Sequence, residues 1–148
     1  KENDAELAGE MSGHIFFADN YFGFDDALYA AVRLINILSK SEKKLSDIID
    51  EFPKSYNTPE IRIECDDKEK FKIIDKVIKN QKNKKYSDID GIRVELENGW
   101  WLMRASNTQA AMVLRCEANS KKDLDEIISI VKNEIKKISP ELSKQILA

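Results

Sequence analysis

Alternation of apolar and polar residues in three short stretches most strongly constrains how this chain can fold. Ile61 to Asp66, Ile92 to Glu97 and Met112 to Glu117 each place an apolar residue at every second position. Successive side chains of a strand point to opposite faces, so each stretch predicts a strand with one buried face. Asn98-Gly99 predicts a tight hairpin turn with positive φ at both residues, and Trp100 to Met103 then returns as the partner strand.

Two further segments repeat apolar residues at helical spacing. One helix is predicted over Lys68 to Lys79, and a second begins where Ser120 can cap it. The apolar positions are Phe71, Ile74, Val77 and Ile78 in the first helix and Leu124, Ile127, Ile128, Val131, Ile135 and Ile138 in the second. The order β-α-β-β-β-α predicts an α+β domain, in which a four-stranded antiparallel sheet carries both helices on one face.

The residues before this pattern have a different organisation. We interpret residues 1–14 as a loop, Ile15 to Phe17 as the end of a strand, and Leu45 to Phe52 as a short helix. A longer helix, capped by Asp25 or Asp26, is expected to reach about Leu38. Because Pro53 and Pro59 bound the next segment, we place a linker there and divide the chain into residues 1–52 and 53–148. Residues 80–90 are rich in lysine and predict a loop.

The charge balance excludes several classes of partner. The 148 residues include 24 basic and 27 acidic side chains, for a net charge of −3, so nucleic-acid binding is not expected and any anion site must be local. No run approaches the roughly 18 apolar residues of a membrane span, so no membrane association is expected.

Cys65 and Cys116 fall on apolar strand positions and predict buried free thiols in a reducing cytoplasm. A chain that begins with Lys1 is expected to be part of a longer protein.

A run of hydrogen-bond donors lies between the last two predicted strands, from Arg104 to Gln109. Arg104 offers a planar fork that matches two phosphate oxygens, and Ser106, Asn107 and Thr108 follow with hydroxyl and amide donors. Backbone N–H groups in a tight loop can add to such a site. These six residues alone fit a phosphate-binding loop and a polar turn with an incidental arginine about equally well.

Two motifs resemble those of the α-D-phosphohexomutases. The sugar-recognition segment of that family resembles Gly9-Glu10-Met11-Ser12-Gly13-His14 followed by Gly23-Phe24-Asp25-Asp26-Ala27, and its terminal phosphate-binding segment resembles Asn98-Gly99-Trp100-Trp101 followed by the Arg104 loop. Met11 and Asn107 fit the phosphomannomutase/phosphoglucomutase branch. The resemblance covers nearly the whole chain, in the order of the family.

The resemblance implies a phosphoserine enzyme that moves phosphate between carbons 1 and 6 of a hexose through a sugar bisphosphate. Residues 1–52 would then be the strand and helix tail of an incomplete, sugar-binding α/β domain, and residues 53–148 the phosphate-binding last domain. The phosphoserine loop and the Mg²⁺ loop would lie in amino-terminal domains outside this chain. Asp88 and Asp90 do not match the magnesium pattern, so we interpret them as solvated turn residues. We therefore expect Mg²⁺ in the parent enzyme, none in this fragment, and no activity of the fragment alone.

Glu10, Ser12 and His14 are the candidate sugar-binding residues that the resemblance implies. A carboxylate such as that of Glu10 can accept hydrogen bonds from two neighbouring hydroxyls, which suits a sugar bound in two orientations. His14 could transfer a proton or orient the loop, whereas Asp25 and Asp26 are interpreted as capping and packing residues. The hexose phosphate and the missing amino-terminal domains are the expected partners.

Arg104, Ser106, Asn107, Thr108 and Gln109 are the candidate phosphate-binding residues. The family motif continues with proline where this chain has Ala110, which puts the stiffness of the loop in question. A free-standing phosphosugar-binding module and a structural interaction domain remain alternatives to an enzyme fragment. A phosphoserine loop a few hundred residues upstream would favour the enzyme, and no response of the two loops to phosphosugar would favour the interaction domain.

Overall fold

The computed structural model describes residues 4–10, 12–81 and 84–146. The chain forms two compact units, Lys1–Pro53 and Lys54–Ala148. Among the described residues, no helix is both long enough and apolar enough to cross a membrane.

The first unit is a small antiparallel hairpin followed by two helices. Its elements are β1 (Leu7–Gly9), β2 (Ile15–Phe17), α1 (Ala27–Ser39) and α2 (Leu45–Asp50). β1 pairs with β2, so the prediction of a loop over residues 1–14 is wrong at Leu7–Gly9. A three-residue strand is too short to show an alternating pattern, and only its pairing with β2 defines it.

An aromatic cluster joins the hairpin to α1. The Asp26 carboxylate caps the helix by accepting a hydrogen bond from Tyr29 N at 2.9 Å. The Tyr29 ring stacks on Tyr21 at a centroid distance of 3.7 Å. The Arg33 guanidinium lies 4.6 Å from the centre of the Phe17 ring, a distance that permits a cation–π interaction.

The second unit is a sheet covered by helices. Its elements are β3 (Tyr56–Asn57), β4 (Ile61–Glu64), α3 (Lys70–Asn80), β5 (Tyr86–Ser87), β6 (Ile92–Leu96), β7 (Gly99–Ala105), β8 (Ala111–Ala118), α4 (Lys121–Ile138) and α5 (Pro140–Ser143). The strands lie in the order β3-β8-β7-β6-β5, β4 also pairs with β8, and all of these pairs are antiparallel. The predicted α+β fold is confirmed. Two strands of two residues each extend the sheet beyond the prediction. β3 lies in the segment predicted as a linker, and β5 lies in the segment predicted as a loop.

One face of this sheet and both long helices enclose the apolar core. The strands contribute Ile63, Ile92, Val94, Trp101, Met103, Met112, Leu114 and Cys116, and the helices contribute Ile73, Ile74, Val77, Ile127, Ile128, Val131 and Ile135. Phe71 was predicted to face this core, but its side chain is exposed and Ile73 takes its place. Cys116 is buried, which raises the pKa of its thiol to about 12, whereas Cys65 follows the end of β4 and is only half-buried.

The hairpin between β6 and β7 differs from the prediction. Leu96 pairs with Gly99, so the turn consists of Glu97 and Asn98, and neither residue has a positive φ. Gly99 is required for another reason, because a Cβ there would lie 2.1 Å from the carbonyl oxygen of Glu117 on the neighbouring strand. The glycine therefore permits the close approach of β7 to β8.

Candidate functional site

The predicted phosphate loop joins two central strands of the second unit. Arg104 and Ala105 are the last residues of β7 and not part of the loop, which runs from Ser106 to Ala110. Because side chains alternate along a strand, Arg104 lies on the sheet face opposite the buried Met103 and Ala105. The guanidinium therefore projects from the polar face of the sheet, beside the start of the loop.

Gly91 lies against the backbone of Arg104. A Cβ at Gly91 would be 2.3 Å from the carbonyl oxygen of Met103 and 2.6 Å from the Cα of Arg104, and φ at Gly91 is +73°. Only glycine combines that conformation with that approach. Sequence reasoning did not identify this contact, which brings the turn containing Asp90 next to Arg104.

The Arg104 side chain is 37% exposed and lies near a carboxylate. Its Nη1 lies 3.7 Å from Oδ2 of Asp90, a side chain that is itself 66% exposed. Asp90 is thus the solvated turn residue that the sequence predicted, and its carboxylate also lies beside the Arg104 guanidinium. At this distance the pair is an ion pair without a direct hydrogen bond, so an anion that accepts hydrogen bonds from the guanidinium could displace Asp90.

Hydrogen bonds within the loop use some of its donors and leave others. Ser106 N donates to Ala111 O at 2.9 Å. Ser106 Oγ accepts from Thr108 N at 3.4 Å and from Gln109 N at 3.2 Å, so this hydroxyl oxygen is part of the turn itself. Within the described part of the chain, the N–H groups of Asn107 and Ala110 have no acceptor. These two amides remain available to a ligand.

Lys70, which sequence reasoning missed, lies beneath the loop. Its Nζ donates to the carbonyl oxygens of Ser106 at 2.5 Å and Gln109 at 3.0 Å. It also lies 2.6 Å from Oδ1 of Asp67, and its side chain is only 3% exposed. A signal was present in the sequence, since Lys70 occupies the first position of the i, i+3, i+4, i+7 stripe that Ile73, Ile74 and Val77 complete.

The exit of the loop is held without the proline that the family motif has. Gln109 Oε1 accepts from Arg62 Nη1 on β4 at 2.5 Å. Cys65 N donates to Ala110 O at 3.1 Å, and Ala111 N donates to Gln109 O at 2.9 Å. These bonds supply restraints at the position where Ala110 replaces proline.

The predicted sugar-binding residues share the hairpin loop between β1 and β2. Glu10 N donates to His14 O at 2.9 Å, and Gly13 has φ of +90°, which favours glycine in this turn. Ser12 Oγ donates to Glu10 Oε2 at 3.0 Å, and both side chains are exposed. Met11, which the branch assignment uses, lies outside the described residues.

His14 is paired with Asp25, which the sequence analysis treated as a capping or packing residue. His14 Nδ1 lies 2.6 Å from Asp25 Oδ2, and Ile15 N donates to the other oxygen of the same carboxylate at 3.3 Å. The hydrogen bond to Asp25, followed by the attraction of its negative charge, raises the pKa of His14 above 6.5. The capping interpretation is therefore wrong for Asp25 and correct for Asp26.

Each unit contains one group of the predicted site residues. Arg104, Ser106, Asn107, Thr108 and Gln109 lie together in the second unit, and Glu10, Ser12 and His14 lie together in the first. Within residues 4–10, 12–81 and 84–146, no three His, Cys, Asp or Glu side chains are grouped to hold a metal ion. The residues present in these ranges thus do not fit the magnesium site of the family.

Comparisons with known proteins cover both units. Residues 60–134 match the family described as phosphoglucomutase/phosphomannomutase, C-terminal domain, and residues 1–56 match phosphoglucomutase/phosphomannomutase, alpha/beta/alpha domain III. A phosphomannomutase/phosphoglucomutase of Pseudomonas syringae pv. tomato is 45% identical over 96% of this chain and 31% of its own length. A phosphoglucomutase of Neisseria gonorrhoeae is 41% identical over 86% of this chain and 28% of its own length.

A solved structure is also similar. The crystal structure of a phosphoglucomutase/phosphomannomutase family protein from Burkholderia thailandensis superposes with a TM-score of 0.83 at 39% identity, covering 94% of this chain and 30% of that protein. The chain thus spans about a third of the length of the relatives that it matches.

Proposed function

This chain belongs to the phosphoglucomutase/phosphomannomutase family, and on that premise we propose that it is the substrate-binding carboxy-terminal part of a phosphohexomutase. The parent would interconvert hexose 1-phosphate and hexose 6-phosphate, of mannose or glucose, through a bisphosphate intermediate. The fold and the family matches over both units support this proposal. Action in the cytoplasm stays a prediction.

The observation that carries the proposal is the arrangement at the end of β7. A partly exposed guanidinium is followed within a few residues by the N–H groups of Asn107 and Ala110, which lack acceptors within the described residues. Arg104 would bind two phosphate oxygens, and the amides would bind a third. The hydroxyls of Ser106 and Thr108 and the side-chain amides of Asn107 and Gln109 add further donors.

The hairpin loop of the first unit would recognise the sugar. The Glu10 carboxylate would accept hydrogen bonds from two adjacent hydroxyls, and Ser12, which now donates to Glu10, would move its hydrogen bond to the sugar. His14 would be held by Asp25 in one ring orientation with its other nitrogen directed to the substrate or the loop. Such contacts bind the sugar in either orientation, as the two half-reactions require.

The phosphoryl transfer itself would depend on the amino-terminal domains of the parent. Mg²⁺ bound there would stabilise the charge on the transferred phosphoryl group. The residues of this chain would hold the phosphate that does not react and keep the sugar in place, which lowers the entropic part of the barrier. We expect this fragment to have no mutase activity, and an assay with both hexose 1-phosphates, run beside the full-length parent, checks this.

Replacing Arg104 with alanine tests the phosphate site. We expect Arg104→Ala to weaken glucose 6-phosphate binding by about 2 kcal/mol or more, or about thirty-fold, because a charge-assisted pair is lost. Titrations of the chain followed by amide NMR measure this affinity and report on Asn107 and Ala110 directly.

Arg115→Ala is the matched control for this experiment. Arg115 pairs with Leu102 across β7 and β8 and lies on the same sheet face as Arg104, but outside the loop. Its replacement removes the same charge, so we expect little change in affinity. Equal affinity of the Arg104→Ala and wild-type chains, or no response of the loop amides to the ligand, would contradict the proposed phosphate site.

A further inference from the structure

Lys70 is a buried cation whose hydrogen-bond and ion-pair partners in the described part of the chain are three oxygen atoms near the candidate phosphate loop, and its Nζ also lies 5.2 Å from the centre of the Phe71 ring. Two are the loop carbonyls of Ser106 and Gln109, and the third is the carboxylate of Asp67. An ammonium group has three donors, so these contacts satisfy it completely. A buried lysine is rare because desolvation is costly. This one donates to carbonyl groups near both ends of one loop.

The geometry of the peptide group links Lys70 to the opposite side of the loop. In a trans peptide the C=O of one residue and the N–H of the next lie in one plane and point in opposite directions, and the described residues contain no cis peptide. Holding the Ser106 carbonyl therefore directs the Asn107 N–H away from Lys70. Holding the Gln109 carbonyl directs the Ala110 N–H away in the same manner.

These two amides are the ones that lack an acceptor in the described part of the chain. The other loop amides, those of Ser106, Thr108 and Gln109, donate within the loop or to β8. Two independent observations thus coincide: the carbonyls that Lys70 binds belong to the same two peptide groups whose N–H groups are free.

We propose that Lys70 is a positioning residue that turns the Asn107 and Ala110 N–H groups towards the phosphoryl oxygens of the ligand. This inference rests on the proposed phosphate site. Lys70 itself does not touch the ligand, since the loop backbone lies between its ammonium group and the outward N–H groups. The interaction makes the amide donors available before the ligand arrives, so no reorganisation of the loop is needed on binding.

The first test observes the contact in the wild-type chain without ligand. We expect the Lys70 ammonium group to give a slowly exchanging ¹⁵N signal with hydrogen-bond couplings to the carbonyl carbons of Ser106 and Gln109. Lys72 of the same helix is exposed, pairs with the exposed Glu69, and should show neither property. A Lys70 ammonium signal that exchanges as fast as that of Lys72 overturns the proposal. Because this test uses the wild-type chain, its result does not depend on the folding of a variant.

The second test compares Lys70→Met with Lys72→Met, which removes the same charge from the exposed face of α3. In phosphate-free buffer, we expect Lys70→Met to change the exchange rates and shifts of the Asn107 and Ala110 amides, while the amides of the buried Ile63 and Leu114 keep their wild-type shifts. The dissociation constant for inorganic phosphate should rise about ten-fold or more in Lys70→Met. Lys72→Met should match the wild type in both measurements.

The outcomes separate this inference from the proposed function. A folded Lys70→Met chain with wild-type loop amides and wild-type phosphate affinity overturns the role of Lys70 while leaving the phosphate site intact. If the wild-type loop gives no response to phosphate, yet the Lys70 couplings are present and Lys70→Met reorients both amides, the positioning role is supported and the proposed phosphate site is rejected.

Discussion

The two units of this chain differ in what supports their candidate loops. In the second unit, strands and helices enclose an apolar core that includes Trp101, Met103 and Leu114. In the first unit, none of the described residues is buried, and α1 exposes Leu28, Val32 and Ile35. The candidate phosphate loop therefore extends from a packed core, whereas the candidate sugar loop is held by a short hairpin and a few exposed hydrogen bonds.

The candidate loops also differ in how closely their basic side chains are paired with a carboxylate. In this respect the first unit has the tighter arrangement. His14 is 2.6 Å from its carboxylate partner, whereas Arg104 is 3.7 Å from Asp90. In the second unit, a loop that extends from a packed core thus lies beside a loosely paired cation. In the first unit, a loop with no buried residue among those described carries a closely paired imidazole. The difference suggests that the second unit depends on backbone geometry and the first on side-chain pairs.

The largest expected effect is on stability. Leu114→Ala should lower the free energy of unfolding of the second unit by about 2–5 kcal/mol, because Leu114 is fully buried and its truncation leaves a cavity. Both tryptophans lie in this unit, so denaturant unfolding followed by tryptophan fluorescence reports on it alone.

Leu28→Ala is the matched comparison in the first unit. Leu28 is 81% exposed, so we expect a change within about 0.5 kcal/mol, measured by circular dichroism. A loss as large as that of Leu114→Ala would show that the apolar face of α1 is covered in solution, and the contrast between the units would then fail.

A smaller effect is expected for the loosely paired cation. Asp90→Asn should tighten phosphate binding by about two- to five-fold, because it removes a surface ion pair that competes with the ligand for Arg104. Calorimetric titration with inorganic phosphate at constant ionic strength measures the change. Weaker binding in this variant would instead mean that Asp90 orients the guanidinium for the ligand.

The smallest change concerns the protonation of His14. Its pKa should lie above 6.5 in the folded chain, since Asp25 accepts a hydrogen bond from the ring and attracts its positive charge. The stabilisation from this pair is complete below the unfolded pKa and is lost as the pH rises through the folded one. NMR titration of the His14 ring protons measures the midpoint, and Asp25→Asn should return it towards 6.5. If the midpoint is the same in Asp25→Asn, Asp25 does not raise the His14 pKa. The contrast between a closely paired His14 and a loosely paired Arg104 would then fail.

Elements with a strong local pattern were predicted well, and the short elements β2 and α2 were also predicted from their apolar residues. The alternation at Ile92–Leu96 and the stripe of α4 both correspond to observed elements. β1, β3 and β5 were missed because two or three residues cannot display a period. The Asn98-Gly99 turn was misassigned because we attributed the glycine to the turn. The structure needs glycine at position 99 because β7 lies close to β8 there.

The sequence by itself determined which side chains alternate and which segment carries a run of hydrogen-bond donors, because periodicity and local composition are properties of neighbouring residues. Only the tertiary structure decided how that run is held. Lys70 reaches carbonyls 36 and 39 positions away, Arg62 reaches Gln109 across 47, and Gly91 brings Asp90 to Arg104. Such contacts depend on which strands and helices pack together, and no local pattern along the chain records that choice.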